Sequence, residues 1–215
     1  TATRIKKYYH REAEVLYPGI EIPRDRSHHE TGLRRDFYLA VGRCIPYKKF
    51  DLLIEAFNTN GKKLICVTNT DNKLYRKLKN ISKANIEWRL SISREETQIL
   101  FASAKAFIFP PEEDFGLVPL EAQAHGTPVI AYAKWGALET VIANGADLTW
   151  DQPQATGIFF TEQTPESLNQ AIQKFETMSF DTESIKKHAQ KFSKEFFQAN
   201  IINFIENTLK EKNLS

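Results

Sequence analysis

"AFIFPPEEDFGLVPLEAQAHGTPVIAYA", residues 106–133, decides the fold. It opens on a short apolar run, 106–110, too brief for a helix and bounded by prolines, which reads as a buried strand. A polar loop follows, then "LVPLEAQAHG" (117–126), a short helix closed by Gly126. "TPVIAYA" (127–133) is a second strand. Strand, helix and strand joined by short loops make a crossover unit, which requires the two strands to run parallel.

The same alternation extends in both directions. "DFYLAVGR" (36–43), "KKLICVTN" (62–69), "ANIEWRL" (84–90) and "TGIFF" (156–160) read as further strands. Helices are expected between them. "KKFDLLIEAFNTNG" (48–61) has Phe50, Leu53, Ile54 and Phe57 three or four apart and ends on Gly61. "DNKLYRKLKN" (71–80) is a polar helix. "SREETQILFASA" (93–104) opens with a capping box, Ser93 and Glu96. "GALETVIAN" (136–144) and "TPESLNQAIQKFETM" (164–178), with Thr164 as cap and Pro165 at its first position, complete the series. Six such alternations predict an α/β fold, a Rossmann-like doubly wound parallel sheet of about six strands. The segment beyond residue 180 reads as helical, with an apolar stripe of Phe192, Phe196, Ile201, Phe204, Ile205 and Leu209 that needs a surface to pack on.

Composition sets limits. The 215 residues are 41% hydrophobic and 26% charged, enough for a sizeable core. A net charge of +2, concentrated toward the N-terminal quarter, gives no reason to expect nucleic acid. No run reaches the ~20 apolar residues of a membrane span. Cys44 and Cys66 lie in or beside apolar runs without metal-ligand spacing, and read as buried reduced thiols of a cytoplasmic protein. The chain opens at Thr1 inside a helix-like pattern, "TATRIKKYYHREAEVLYP", so a cut within a longer protein is expected. His28-His29-Glu30 reads as a solvated loop, His125 as a local hydrogen-bonder, and His10 and His188 as surface residues.

Glu113 and Glu121 flank "DFGLVPL", with Glu113 in the loop after a strand. In open parallel sheets, ligands sit beyond the carboxyl ends of the strands. The helix start near Gly116 and Leu117 offers free N–H groups for a phosphate, and Gly116 lets a ligand approach the backbone. Carboxylates only accept hydrogen bonds and suit hydroxyls. Two of them around a phosphate site match ribose, diphosphate and sugar in order. The same carboxylates would also favour a helix N-terminus electrostatically, or could form a glycosidase pair. "VGRCIPYKKFDLL" places Arg43 after a strand and Lys48 at the next helix, two cations suited to a diphosphate.

The combination of "VGRCIPYKKFDLLIEAF", "FPPEEDFGLVPLEAQAHGTPVIAY" and "GALETVI" resembles retaining glycosyltransferases of the GT4 family, of GT-B architecture, over about residues 1–207. The resemblance implies a donor-binding domain. Residues 1–34 would end the preceding domain and cross over from it, 35–180 would bind the nucleotide-sugar, and 181–215 would form a helical tail. It implies Glu113 at the donor sugar near the reacting carbon, Glu121 on the ribose, Arg43 and Lys48 on the diphosphate, and the Gly116 and Leu117 amides on phosphate or sugar. Gly136 and Glu139 match a "GGxxE"-type segment. It further implies a GDP- or UDP-linked donor, with a leaning to GDP-mannose, and no cofactor or metal. The acceptor-binding half would lie outside this chain, and the whole enzyme could sit at the inner face of a membrane. Rival readings are a non-catalytic nucleotide-sugar-binding subunit and a nucleotide-sugar epimerase. The sequence departs from the pattern at "VTNTDN", at Leu90, at Trp135 before Gly136, and at Lys49, where members commonly carry glycine.

Overall fold

The 106–133 stretch folds as the crossover unit its sequence requires. In the computed structural model, which describes residues 2–23, 36–143 and 155–211, strand β4 (Ala106–Phe109), helix α5 (Leu117–Ala124) and strand β5 (Val129–Tyr132) follow in order. Phe107 pairs in parallel with Val129 and Phe109 with Ala131. The other strands are β1 (Tyr38–Val41), β2 (Leu64–Thr68), β3 (Ile86–Leu90) and β6 (Gly157–Phe160). All pair in parallel, in the order β3-β2-β1-β4-β5-β6. The order reverses between β1 and β4, and that switch point opens a crevice at the carboxyl edge.

Side chains alternate across the sheet and build two apolar layers. Tyr38, Ala40, Leu64 and Cys66 face helices α2 (Phe50–Asn60), α3 (Lys73–Ile81) and α7 (Pro165–Glu176), where Leu53, Ile54, Phe57, Leu168 and Ile172 are almost fully buried. Phe37, Leu39, Ile65, Phe107 and Phe109 face α4 (Arg94–Ser103) and α5. The Tyr38 hydroxyl enters the first layer but is not left unpaired. It donates to Glu176 Oε1 at 2.9 Å, and Glu176 also accepts from Lys62 Nζ at 2.7 Å and Lys105 Nζ at 2.9 Å. Burial tends to raise the Glu176 carboxyl, but these three donors outweigh it and bring the pKa down to about 2.

Helix ends follow their sequence signals. Ser93 and Glu96 form both bonds of the capping box, and Thr164 accepts from the Ser167 amide. Asn72 caps α3 by accepting from Tyr75 N–H at 2.8 Å. Gly61 closes α2 in the left-handed conformation. Lys49 also has φ of 56°, left-handed, at the joint between the 3-10 turn Pro46–Lys48 and α2. The joint demands a conformation that suits glycine, and lysine holds it at a cost of about 1–2 kcal/mol.

Several expectations need correction. The helix expected over 136–144 is only α6 (Ala137–Thr140). At Val141 the chain turns extended; Ile142 N–H donates to the Thr156 hydroxyl at 2.9 Å and Thr156 N–H donates to the Ile142 carbonyl at 2.8 Å, so these β-branched residues leave the helix for an extended bridge beside β6. The opening pattern forms only α1 (Ala2–Tyr9), ending at His10 with φ of 53°. His188 is 8% exposed, not a surface residue. It lies on α8 (Thr182–Gln190), its Nε2 is 3.2 Å from the Thr140 carbonyl, and burial lowers its pKa. Of the apolar stripe, Phe192 packs inward and Ile201 is half-buried. Phe196, Phe204, Ile205 and Leu209, on α9 (Lys194–Glu211), are exposed. His28-His29-Glu30 lies outside the described residues. Cys44 and Cys66 are buried free thiols, and burial pushes Cys44 up to about 11.

The arriving segment and the tail meet at one place. Ile20 N–H donates to the Phe192 carbonyl, and Lys194 N–H donates to the Ile20 carbonyl, both at 2.8 Å. Ile20 and Phe192 then pack with Leu120, Ala124 and Ala189 between α5 and α8. A Cβ at Gly19 would overlap the Lys194 backbone, so only glycine permits this approach.

Candidate functional site

At the carboxyl edge, the loops after β1, β4 and β5 converge. Lys48, from the 3-10 turn after β1, and Glu113, from the loop after β4, form a direct ion pair, with side chains 13% and 19% exposed. The pair spans the switch point. The Lys48 ammonium also lies 5.5 Å over the ring of Tyr47, and Arg43 Nη2 donates to the Tyr47 hydroxyl at 3.3 Å. The two cations expected from the sequence are thus joined through an aromatic ring that the sequence did not single out.

A cleft of about 710 Å³ opens beside the pair, lined by Glu113, Gly116 and Leu117 and also by Arg4, Tyr47 and Trp135. Gly116, with φ of 83°, precedes α5 and leaves its first amides without a side-chain cap. A Cβ there would press on the Phe109 ring. A smaller cavity of about 270 Å³ adjoins the ends of β1, β2 and β3, and Arg43, Thr68, Asn69 and Ser91 line it. Three of the expected residues, Glu113, Gly116 and Leu117, therefore line one cleft, Lys48 joins them through its pair with Glu113, and Tyr47 links Arg43 to Lys48.

Glu121 stands apart, one turn further along α5. Its side chain reaches solvent, yet the protein around it desolvates the carboxyl and raises its pKa. Arg94 opposes that rise and Glu21 adds to it. Gly136 does not line the cleft but builds it. Its amide donates to the Glu113 carbonyl at 3.0 Å, and a Cβ would overlap the Phe115 backbone. Glu139 lies beside the Tyr17 hydroxyl, whose pKa is raised by burial and by that carboxylate. Tyr17 stacks on Phe115 at 5.1 Å between centroids.

Further residues at the cleft were given no role in the sequence reading. Trp135 has φ of 48° and is 51% exposed. Its Nε1–H donates to Glu112 Oε2 at 3.2 Å, and the Arg4 guanidinium lies 4.9 Å from its ring centroid. Arg4 Nη2 also donates to Asp114 Oδ1 at 3.2 Å. A non-glycine residue in the left-handed region beside a cleft is the structural mark of a constrained loop. Tryptophan before Gly136 was the only sequence signal. Among the described residues, no group of three or more His, Cys, Asp or Glu side chains is placed to hold a metal, and no helix is long and apolar enough to cross a membrane.

A parallel sheet with its cleft at the topological switch point, a cation–carboxylate pair across that point and open amides beside it define a Rossmann-like ligand-binding domain. The family model described as "Glycosyl transferases group 1" matches residues 21–195. The chain belongs to that family. It is 31% identical over 250 residues to the alpha-1,3/1,6-mannosyltransferase ALG2 of Kluyveromyces lactis, covering 92% of this chain and 49% of that protein. It is 31% identical over 153 residues to the D-inositol 3-phosphate glycosyltransferase of Corynebacterium glutamicum, covering 62% of this chain and 36% of that protein. The crystal structure of a glycosyltransferase from Rickettsia africae superposes with a TM-score of 0.77 at 17% identity, over 97% of this chain and 61% of that one. The chain spans about half the length of the K. lactis relative.

Proposed function

We infer that this chain is the donor-binding half of a metal-independent retaining glycosyltransferase, which moves a sugar from a nucleoside diphosphate to an acceptor hydroxyl. The observation that carries this reading is the Lys48–Glu113 pair at the β1/β4 switch point, with the open amides of α5 beside it. A ligand holding phosphates and hydroxyls side by side needs both signs of charge in one cleft.

In transfer, the bond between the sugar's anomeric carbon and the diphosphate oxygen breaks, and its electron pair leaves with the diphosphate. Arg43 and Lys48 neutralise that growing charge. The Gly116 and Leu117 amides, at the positive end of α5, receive a phosphate oxygen. Glu113 accepts hydroxyls of the donor sugar near the reacting carbon, and Glu121 accepts those of the ribose. Gly136 holds the Glu113 loop in place through its amide. The acceptor oxygen bonds to the anomeric carbon on the face the diphosphate left, and its proton passes to the departing diphosphate oxygen. The acceptor-binding half is supplied by sequence outside this chain, as the longer relatives suggest. Mannose is the favoured donor sugar, because the K. lactis and Candida glabrata relatives are described as mannosyltransferases, and the family resemblance leans to GDP as its carrier. Work on a lipid-linked or polysaccharide acceptor at the cytoplasmic face of a membrane fits the same reading.

Calorimetric titration with GDP, UDP and ADP and their sugar conjugates tests it. At least one diphosphate should bind, and Glu121→Ala should weaken diphosphate and conjugate alike, by roughly 1.5–3 kcal/mol if a charge-assisted bond is lost. Absence of binding by every nucleotide, or equal affinities for Glu121→Ala and the unaltered chain, would end this assignment.

A further inference from the structure

The cleft has two flanks. Tyr47 and Trp135 follow β1 and β5, so their loops lie on either side of the β4 loop that carries Glu113. The Tyr47 flank holds both cations, Arg43 and Lys48. The Trp135 flank is different. Its indole is half exposed, and its orientation is fixed from the edge by Glu112 rather than by burial. Beside it stand Glu112 and Asp114, whose side chain is 87% exposed. Arg4 covers one face of the ring, and it comes from α1, a helix with no buried residue. This contact is between exposed partners and is readily displaced.

We propose that Trp135 is a carbohydrate platform, on which one pyranose ring of the acceptor saccharide stacks in the place now held by the Arg4 guanidinium. The proposal rests on the donor reading of the same cleft. A pyranose presents an apolar C–H face and a rim of hydroxyls. An oriented aromatic face flanked by acceptor-only carboxylates complements both. The carboxylates disfavour a phosphate or any other anion at this flank, so the ligand carries no negative charge. It belongs to the acceptor because the donor's phosphates need the cations of the opposite flank, and Glu113 between the flanks takes the donor sugar. The reacting hydroxyl would then approach Glu113 from the Trp135 side.

Binding of methyl α-mannoside and an α-linked mannobiose to the 215-residue chain is followed by the indole N–H resonances in two-dimensional NMR. The Trp135 signal is assigned by its loss in Trp135→Phe. GDP binding is measured on every variant by calorimetry. The saccharide should shift the Trp135 indole. Trp135→Ala should weaken its binding about tenfold or more, and by far more than it changes GDP affinity, and Trp135→Phe should stay within about threefold because an aromatic face remains. An unmoved Trp135 signal in the unaltered chain, or undiminished saccharide binding by Trp135→Ala, overturns the proposal. The Phe variant and the unaltered chain keep the test decisive should Trp135→Ala fold poorly. Saccharide failure with intact GDP binding removes this subsite alone. Saccharide binding without any nucleotide binding removes the donor reading and overturns the acceptor assignment with it.

Discussion

Replacing Glu113 with glutamine should make this domain bind a bare nucleoside diphosphate more tightly. In the structure Lys48 is already engaged by Glu113, and both side chains are largely withdrawn from water. A diphosphate that recruits Lys48 must first draw it from this partner. A hydrogen bond between charged groups is worth roughly 1.5–3 kcal/mol net, and this part of the binding energy is returned when Glu113 loses its charge. Recovering even the lower bound, about 1.5 kcal/mol, is slightly more than tenfold in affinity. The nucleotide-sugar should behave in the opposite way, because it also loses the carboxylate that accepts its hydroxyls. The ratio of conjugate to diphosphate affinity should therefore fall by more than tenfold in Glu113→Gln. Folding should suffer as well. A Lys48 side chain 13% exposed without its counter-charge costs on the order of 1–3 kcal/mol. Calorimetric titrations of GDP and GDP-mannose on both proteins, with a denaturant curve for each, measure all three quantities. A diphosphate affinity that is unchanged or lower in Glu113→Gln, in a folded protein, would refute the idea that Lys48 must be released to work.

Three other outcomes follow from the structure. The Glu176 carboxyl is lowered from the ordinary 4.5 to about 2, so its stabilisation is complete above the unfolded-state pKa and is lost as pH falls from 4.5 toward 2; the bound is about 3 kcal/mol, reduced by solvent screening to roughly 1–2. Glu176→Gln should flatten that acid limb in urea curves taken across the range, and an unaltered limb would count against the three-donor hub. Lys49→Gly should stabilise by about 0.5–1 kcal/mol, because relief of the left-handed strain exceeds the added chain entropy, raising Tm by roughly 1–4 °C; a lower Tm would show that the lysine side chain contributes more than its backbone costs. Nucleotide affinity should survive EDTA, since Arg43 and Lys48 supply the positive charge, and its loss on chelation would overturn the metal-independent reading.

What could be read from the sequence was local. The six strands announced themselves as apolar runs, and Ser93, Glu96, Thr164, Pro165 and Gly61 marked helix ends, because caps are built from residues close in sequence. Lys48 and Glu113 were legible as separate charges beside strand ends. Their pairing was not, since 65 residues separate them and only the β1–β4 adjacency brings them together. His188 looked like one more polar residue on an amphipathic helix. It is buried because α8 packs on α5 and turns that face toward the Thr140 carbonyl. Helix α6 stopped short because Ile142 and Thr156 found each other beside the start of β6, a pairing the helical pattern does not show. Trp135 showed only as a departure from a pattern. Its meaning depends on Glu112 and Arg4, which reach it from two distant parts of the chain.

The clasp between Ile20 and Phe192 gives this domain a single doorway. The backbone enters and leaves through the same pair of hydrogen bonds, so the ends of the sheet unit already touch. Joining them would require only a very short linker, with little closure entropy to overcome. A unit with that property can be circularly permuted, or set into a surface loop of an unrelated host, without pulling on either end. Its cleft lies in the strand-end loops between the two ends of that doorway in sequence, so such a graft would carry the cleft edge with it, except for Arg4 and Pro18, which lie before the clasp.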